Sequence, residues 1–563
     1  MKLRCTAALL ICMSLLATAQ ARHRASLPIP HRSHGSEGVG NPAGMFAAMK
    51  AVSDTRIRDD IQYLSSDKLE GRGTGAKGGD LAADYIAQQF AAAGLKPAGE
   101  NGTYFQDVPM VGLTTLDSST LTLSSSKRKL DLKQLDDVVL CDESQQERSE
   151  LAGKLIFAGY GITAPEYGWD DYAGLDVKGK ILLMLVNEPP SDDPKFFAGK
   201  AMTYYGRWTY KYEHAAAMGA AGVILIHKTE MASYGWEVVR SSWSGERSTL
   251  ATEDKGLHLA SWIQQEKIRQ LLADNGFDLD ELIARAGKPG FRAIPLEIEA
   301  QASIASRVRR FHSRNVLGLV EGSDEKLKDE AILYTAHYDH LGIRATPEGR
   351  KIYPGANDNA SGSAILMEMA RAAAATPEKP KRTLLFASVT AEEQGLWGSK
   401  YLGEHSPVQV SKISLDLNFD EFYPLGIPRE VTAPGVERTS FEGIFNKTAS
   451  DFKMKVLPAP LPDDGGYYRS DHFSLARVGV PAISINMGER FDGHSEEWVR
   501  SNMARMEKNY HQPEDAFWPE GDFRADAVMA RFGLALGYRA AALPQRIEWR
   551  AGDEFEARRK AQQ

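Results

Sequence analysis

The sequence is poor in cysteine and has no excess of positive charge. Only three of the 563 residues are cysteines, Cys5, Cys12 and Cys141, so a framework of disulfide bonds is excluded. The chain carries 67 basic and 75 acidic side chains, for a formal net charge of −8. A chain without a net positive field is poorly suited to hold a nucleic-acid backbone. We therefore predict a globular protein that does not bind nucleic acid.

Long apolar runs and two common hydrolase motifs are also absent. No segment reaches the roughly 20 apolar residues that a transmembrane helix needs, so we expect no stable membrane insertion. No G-x-S-x-G pentapeptide and no HExxH sequence occur anywhere in the chain. Serine chemistry of the nucleophile-elbow type and zinc binding of the HExxH type are therefore unsupported.

The first 21 residues have the pattern of a secretory signal peptide. Lys2 and Arg4 precede an apolar stretch over residues 7–17, and two small-x-small sequences follow, the second ending at Ala21. A basic start, a short apolar centre and a small-residue exit predict export to the periplasm or the medium. Cleavage after Ala21 would leave Cys141 as the only cysteine. Residues 22–45, rich in His, Ser, Gly and Pro, are predicted to form a flexible leader.

Hydrophobic patterning divides the rest of the chain into two interleaved parts. Residues 46–135 contain helical segments around a glycine loop, and residues 136–304 contain short β-rich runs separated by Gly, Pro and Asp. Over residues 305–545, buried apolar strands alternate with helices, which indicates a mostly parallel, doubly wound sheet. We predict an α/β fold whose main domain is interrupted by an inserted β-rich domain, 136–304. Residues 546–563 would form a C-terminal tail.

Side chains with metal-binding chemistry follow the ends of the apolar strands in the second half of the chain. Open α/β sheets bind ligands at the carboxyl ends of their strands, and histidine combined with carboxylates suits zinc. We predict two zinc ions, with Asp358 bridging them. The predicted ligands are His337, Asp358, Glu393, Asp420 and His511.

Three more residues are assigned roles beside these ligands. Glu392 adjoins a ligand but should point elsewhere, and it is the predicted general base for a metal-activated water, later returning the proton to the leaving amine. Asp339 is predicted to accept the distal N–H of His337. Tyr510 is predicted to donate a hydrogen bond to the tetrahedral oxyanion.

Two of the ligand assignments have alternatives in the sequence. Asp416 could replace Asp420, but it lies in mid-strand, where an unpaired carboxylate is costly. His472 could replace His511, and it is otherwise expected to line the cleft. Three other histidines are expected to be ordinary hydrogen-bonded side chains: His340, His214 and His494.

The motifs that carry these residues resemble those of the di-zinc aminopeptidases, a family of clan MH that also contains glutamate carboxypeptidase. Between residues 305 and 520 they are AHYDHLG, GANDNASG, TAEEQGLWGS, NFDEF, RSDHFSLARVGVPAI and NYHQPEDAF, and the resemblance extends weakly to LSSDKLEGRGTG. It implies a zinc-exopeptidase-like (phosphorylase/hydrolase-like) fold, peptide substrates and the residue roles given above. The insert resembles a protease-associated domain, which in relatives borders the cleft. NFDEFYPLG departs from the family, since many relatives carry a methionine and a small residue after the aspartate.

The resemblance and the residues together predict an exported zinc aminopeptidase. A carboxypeptidase or dipeptidase on the same scaffold is the first alternative, and it would need cationic groups for the substrate α-carboxylate. Arg469 and Arg490 lie near the right segments for that role. A non-catalytic receptor-like relative and a cyclase are further alternatives. The sequence defines neither the preferred substrate side chain nor the oligomeric state.

Overall fold

A computed structural model describes residues 41–252, 256–346, 349–459 and 465–562. The predicted signal peptide and nearly all of the predicted leader lie outside the described residues. Within the described ranges, no helix combines the length and the apolar character that crossing a membrane requires.

The strands of the described residues, in chain order, are β1 Lys96–Pro97, β2 Phe105–Thr115, β3 Thr120–Ser124, β4 Lys129–Leu132, β5 Val138–Cys141, β6 Arg148–Phe157, β7 Thr163–Ala164, β8 Trp169–Asp170, β9 Ile181–Leu185, β10 Gly222–His227, β11 Arg247–Leu250, β12 Leu259–Gln264, β13 Ile294–Val320, β14 Ala331–His337, β15 Gly342–Thr346, β16 Gly349–Tyr353, β17 Thr383–Val389, β18 Ile413–Phe419, β19 Ile427–Pro428, β20 Glu430–Thr432, β21 Lys455–Leu457, β22 Ala482–Met487 and β23 Phe491–Asp492.

The α-helices of the same residues are α1 Met45–Ala51, α2 Asp54–Leu64, α3 Lys77–Ala93, α4 Trp208–Ala217, α5 Thr229–Ala232, α6 Trp236–Trp243, α7 Gln265–Asp274, α8 Leu279–Ala286, α9 Gly362–Ala375, α10 Trp397–Glu404, α11 Glu442–Asp451, α12 His472–Arg477, α13 Glu496–Asn509, α14 Arg524–Ala542 and α15 Glu556–Lys560.

The main sheet has the α/β architecture that the sequence predicts. Its order is β11–β2–β13–β17–β14–β18–β22, and the last four of these strands run parallel. Alternate residues of β14 enter different cores: Tyr334 packs in the core that contains α9 and α14, and Leu333 packs in the core that contains residues of α10 and α12. Both faces of the central strands are therefore covered by helices, which explains their continuous apolar sequence.

A second sheet contains most of the predicted insert. Strands β6, β9, β10 and β12 run parallel in it, and β5 closes one edge in the antiparallel sense. The hairpin of β3 and β4 also belongs to this sheet, because β3 pairs with residues 299–303 of β13. The second sheet thus begins before residue 136, the boundary predicted from the sequence, since strand pairing over such a distance leaves no signal in the local pattern.

The long strand β13 joins the two sheets. Its first part pairs with β3 and β6 in the second sheet, and its last part pairs with β2 and β17 in the main sheet. Strand β11 lies within the insert in the sequence, but it pairs with β2 at the edge of the main sheet. The two predicted domains therefore share strand β13, and strand β11 of the insert belongs to the main sheet.

Candidate metal centre

The predicted ligands lie at the carboxyl ends of the parallel strands. His337 is the last residue of β14, Glu393 follows the end of β17, and Asp420 directly follows β18. Because these strands are parallel neighbours, their carboxyl ends meet at one edge. Asp358 lies in the turn before α9, and His511 lies just after α13, where it adopts a left-handed φ of 55°.

These side chains form two groups that share Asp358. In the first group, His511 Nε2 lies 3.0 Å from Asp358 Oδ2 and 3.1 Å from Glu393 Oε2. In the second group, His337 Nε2 lies 3.3 Å from Asp358 Oδ1 and 3.1 Å from Asp420 Oδ1. The first group also includes His340, and the second includes Glu392. Each oxygen of Asp358 therefore faces a different histidine, as a bridging carboxylate would.

The titration behaviour of the groups reflects a concentration of carboxylates. Burial alone would lower the pKa of His337, but Asp420 and Glu392 outweigh it and raise that pKa well above its usual range. Hydrogen bonds to Asp358 and Glu393 likewise overcome burial and raise the pKa of His511 to about 10. Without metal, both histidines would thus bind protons. A metal cation would displace those protons and supply the same positive charge.

Glu392 and Asp339 are linked to each other beside the second group. The backbone N–H of Glu392 donates to Asp339 Oδ1 at 3.1 Å. Burial, together with Asp420 and Glu393, raises the pKa of the Glu392 carboxyl well above its usual range, against the opposing charge of His337. The distal nitrogen of His337, Nδ1, lies 3.2 Å from the backbone oxygen of Asp339 and 3.9 Å from its carboxylate. The backbone carbonyl of Asp339 is therefore the nearer acceptor for the N–H that the sequence analysis assigned to its carboxylate.

The alternative ligands lie outside both groups. Asp416 is buried within β18, where one carboxylate oxygen accepts a hydrogen bond from Thr335 at 3.0 Å. His472 is buried with its ring edge-on to Tyr467, and burial lowers its pKa to about 3. Tyr510 stacks on His511 with ring centres 4.0 Å apart and stays 46% exposed.

The other histidines differ from one another. His214 Nε2 forms a hydrogen bond with Thr163 Oγ1 at 3.0 Å in the domain of the second sheet. His494 Nε2 forms one with Asp522 Oδ2 at 3.3 Å. These two are ordinary hydrogen-bonded histidines, as the sequence analysis expected. His340 instead lies with Nδ1 2.5 Å from Glu393 Oε1, so it is part of the candidate centre.

Several residues that the sequence analysis assigned no role hold the loops of this centre. Arg72 and Thr74 come from the glycine loop before α3, and Thr74 donates to Asp339 Oδ2 at 2.9 Å. Asp515 accepts from the backbone N–H of Asp358 at 3.2 Å. Ser470 donates to Asp420 Oδ2 at 2.5 Å. Two signals were available in the sequence: the glycine loop has three glycines in six residues, and Ser470 and Asp515 lie within the quoted motifs RSDHFSLARVGVPAI and NYHQPEDAF.

The same region of the chain matches a protein family. Residues 315–529 match the family described as peptidase family M28. Over this segment the chain is similar to the M28 peptidases. The segment contains every predicted ligand, from His337 to His511, and both candidate metal-binding groups lie within it.

The matches to curated relatives cover limited parts of this chain and of each relative. A "probable zinc metalloprotease" of Pyrenophora teres is 32% identical over 182 residues, which is 31% of this chain and 33% of the relative. "Aminopeptidase YwaD" of Bacillus subtilis is 27% identical over 211 residues, 36% of this chain and 40% of the relative. The chain thus spans about a third to two fifths of the length of these curated relatives.

Solved structures are similar over a larger share of the chain. An aminopeptidase from Aneurinibacillus sp. strain AM-1 is 20% identical, with a TM-score of 0.49, over 90% of this chain and 98% of that one. A zinc aminopeptidase from Bacillus subtilis is also 20% identical, with a TM-score of 0.41, over 90% and 97%.

Proposed function

We propose that this chain is a zinc-dependent aminopeptidase that releases N-terminal residues from peptides. One arrangement carries the proposal: Asp358 presents one oxygen to His337 and the other to His511. Two clusters of histidine and carboxylate therefore share a bridging side chain, as a two-metal hydrolytic site requires. The names of the relatives, a zinc metalloprotease and an aminopeptidase, support zinc and peptide hydrolysis.

The side chains fit zinc in their chemistry and spacing. The four pairs of facing ligand atoms are 3.0–3.3 Å apart, near the roughly 3.3 Å that separates ligand atoms around a tetrahedral zinc ion. His511 and Glu393 would hold one ion together with Asp358. His337 and Asp420 would hold a second ion with the same bridging carboxylate. When bound, zinc supplies Lewis acidity that polarises the scissile carbonyl and acidifies an attacking water.

The proton would be moved by Glu392. Its carboxylate lies in the group of His337 and Asp420, and its raised pKa suits a side chain that must accept a proton near neutral pH. It takes a proton from the attacking water as the new C–O bond forms. It then gives that proton to the amine nitrogen as the C–N bond breaks. We assign Tyr510, stacked on His511, the donation of a hydrogen bond to the oxyanion.

The first experiment separates the base from the ligands. Glu392→Gln should keep the zinc content of the unaltered protein, while turnover falls by roughly 10²–10⁴. Glu404→Gln, at an exposed position of α10, is the matched control and should leave both unchanged. Loss of zinc with Glu392→Gln would mark Glu392 as a ligand, and normal turnover would contradict its role as base.

A second pair of variants tests which histidine binds metal. His511→Ala should lower the zinc content measured by atomic emission, because it removes an Nε2 that faces two carboxylates. His472→Ala should leave it unchanged, since His472 lies outside both groups. The opposite result would transfer the ligand role to His472.

Two sets of model peptides test the direction of attack. An aminopeptidase should hydrolyse peptides with a free N-terminus and an amidated C-terminus, and spare N-acetylated peptides. Chelation should abolish this activity, and added zinc should restore it. Hydrolysis restricted to peptides with a free C-terminus would instead favour the carboxypeptidase or dipeptidase alternative.

We also propose that the protein is exported to the periplasm or the medium. Its first 21 residues support this, with Lys2 and Arg4 before a short apolar stretch and a small-residue site at Ala21. N-terminal sequencing of the protein made in its own cells should begin at residue 22 or later. A mature protein that retains residues 1–21 would contradict the proposal.

A further inference from the structure

The two terminal carboxylates of the metal groups use their oxygens in the same way. Asp420 turns Oδ1 toward His337 at 3.1 Å, while its Oδ2 accepts a hydrogen bond from Ser470 at 2.5 Å. Glu393 turns Oε2 toward His511 at 3.1 Å, and its other oxygen, Oε1, faces His340. Each carboxylate therefore has one oxygen toward the metal position and one oxygen against a neighbouring side chain.

His340 is placed to act on Glu393 and is a poor candidate for a further ligand. Its Nδ1 lies 2.5 Å from Glu393 Oε1 and 4.0 Å from Asp358 Oδ2. A ligand of the same ion would lie roughly 3.3 Å from both oxygens, the spacing of tetrahedral zinc. The 2.5 Å separation is a contact distance between a donor and an acceptor. The imidazole is completely buried, and apart from their 2.5 Å contact with each other neither His340 Nδ1 nor Glu393 Oε1 has a hydrogen-bond partner among the described residues.

The packing around His340 fixes its ring in this position. Gly355 lies against one face with a φ of +57°, and a Cβ there would come within 2.5 Å of the ring carbons Cδ2 and Cγ. The ring of His511 lies edge-on at 5.6 Å. The backbone N–H of His340 donates to the carbonyl of Arg72 at 3.2 Å. The imidazole therefore has no space to turn away from Glu393.

We propose that His340 is a positioning residue whose Nδ1–H binds Glu393 Oε1, so that Glu393 offers the metal only its Oε2. This inference rests on the metal site of the proposed function. A carboxylate held in this way binds through a single oxygen and leaves a coordination position free for water or substrate. Without the restraint, Glu393 can turn both oxygens to the metal and occupy that position. Partners of this kind typically change metal affinity or activity by 10–100-fold.

Two amide variants distinguish the position of the donor from the bulk and polarity of the side chain. His340→Asn places an amide N–H where Nδ1 lies in histidine, and it should retain near-normal zinc affinity. His340→Gln places its amide one bond further out, near the position of Nε2, and it should weaken zinc binding by 10–100-fold in a chelator competition. His405→Asn, at an exposed histidine on the end of α10, is the control and should behave like the unaltered protein.

Cobalt substitution adds a readout that a purely structural role of His340 would not change. The visible absorption of bound Co²⁺ reports its coordination number, because four-coordinate cobalt absorbs much more strongly than five-coordinate cobalt. We expect the absorption to fall in His340→Gln and to be restored in His340→Asn, with circular dichroism unchanged in both.

The possible outcomes separate this inference from the proposed function. Equal affinities and equal spectra in the Asn and Gln variants would overturn the inference while leaving the zinc site intact. Loss of one whole metal equivalent in both variants would make His340 a ligand and would also overturn it. Absence of zinc and cobalt binding by the unaltered protein would instead refute the proposed function.

Discussion

The buried guanidinium of Arg72 gives the strongest prediction about what assembles this site. Arg72 is fully buried, and it donates to four backbone carbonyls: Tyr338 at 2.6 Å, Leu64 at 2.6 Å, Pro354 at 2.6 Å and Gly355 at 2.8 Å. Tyr338 directly follows the predicted ligand His337, and Gly355 precedes the predicted ligand Asp358 by three residues. One side chain thus connects the end of α2 to the loops that carry both predicted ligands.

We expect Arg72→Met to destabilise the protein strongly. Methionine fills much of the space but leaves four buried carbonyls without donors, and each costs about 1–3 kcal/mol. Even at the lower limit the sum is about 4 kcal/mol, a large part of the 5–15 kcal/mol that typically stabilises a domain. Burial lowers the pKa of Arg72 to about 10, with Asp515 and Asp358 opposing the shift, so the guanidinium keeps its charge at neutral pH. Arg72→Lys keeps the positive charge but not the planar guanidinium with its several N–H donors. It should therefore recover only part of the lost stability.

The assay is urea unfolding followed by tryptophan fluorescence, with and without a chelator. Arg72→Met should lower the urea midpoint of unfolding both with and without the chelator. The decrease should be larger for the zinc-loaded protein, because the loops that carry the predicted ligands lose their connection to Arg72. Arg269→Met is the control, since Arg269 forms an exposed ion pair with Asp280, and exposed pairs of this kind contribute little to stability. A midpoint for Arg72→Met within the range of this control would refute the reasoning.

Three further predictions concern single side chains. Ser470→Ala should weaken zinc binding by 10–100-fold in a chelator competition, because Asp420 Oδ2 loses its donor, and unchanged affinity would contradict this. Asp526 is fully buried, and burial raises its pKa to about 7. The folded protein therefore binds this proton more tightly than the unfolded chain, and its stability falls as pH rises from about 4 to 7. Asp526→Asn should therefore raise the free energy of unfolding by up to about 4 kcal/mol at pH 8 and change it little at pH 4, and an equal effect at both pH values would be inconsistent with that pKa. Burial also raises the pKa of Cys141 to about 11, against the opposing charge of Arg247, so the native protein should not react with a thiol reagent at pH 8, and the denatured mature protein should react with one equivalent.

The sequence carries much of the site because strand ends are visible in a hydrophobic pattern. Buried strands such as TLLFASV read as mostly apolar runs, and in ISLDLNF apolar residues alternate with polar ones; Asp420, the first charged residue after that strand, is placed at the carboxyl edge of the sheet. His337 ends the run of β14, and the pair Glu392–Glu393 is the first charged sequence after β17. The fold class follows from the same alternation of strands with helices.

The remaining features depend on contacts that no local pattern records. His340 lies against Glu393 in a space that depends on Gly355, fifteen residues later, because a Cβ at that position would meet the imidazole ring. Arg72 lies more than 260 residues from Tyr338, which it binds. The edge of the second sheet is set by the pairing of β3 with β13, whose sequences are far apart. These contacts depend on how distant segments pack in three dimensions, which the pattern of residues along the chain does not specify.

The shared strand β13 limits how the two parts of the molecule can move. At about 3.3 Å per residue, its 27 residues form a continuous ribbon of roughly 90 Å. Neighbouring strands brace it on both sides, β6 in the second sheet and β2 in the main sheet. Rotation of the insert about a hinge would have to break these ladders, whereas a flexible linker would permit it freely. The connection between the insert and the main sheet is therefore stiff along β13.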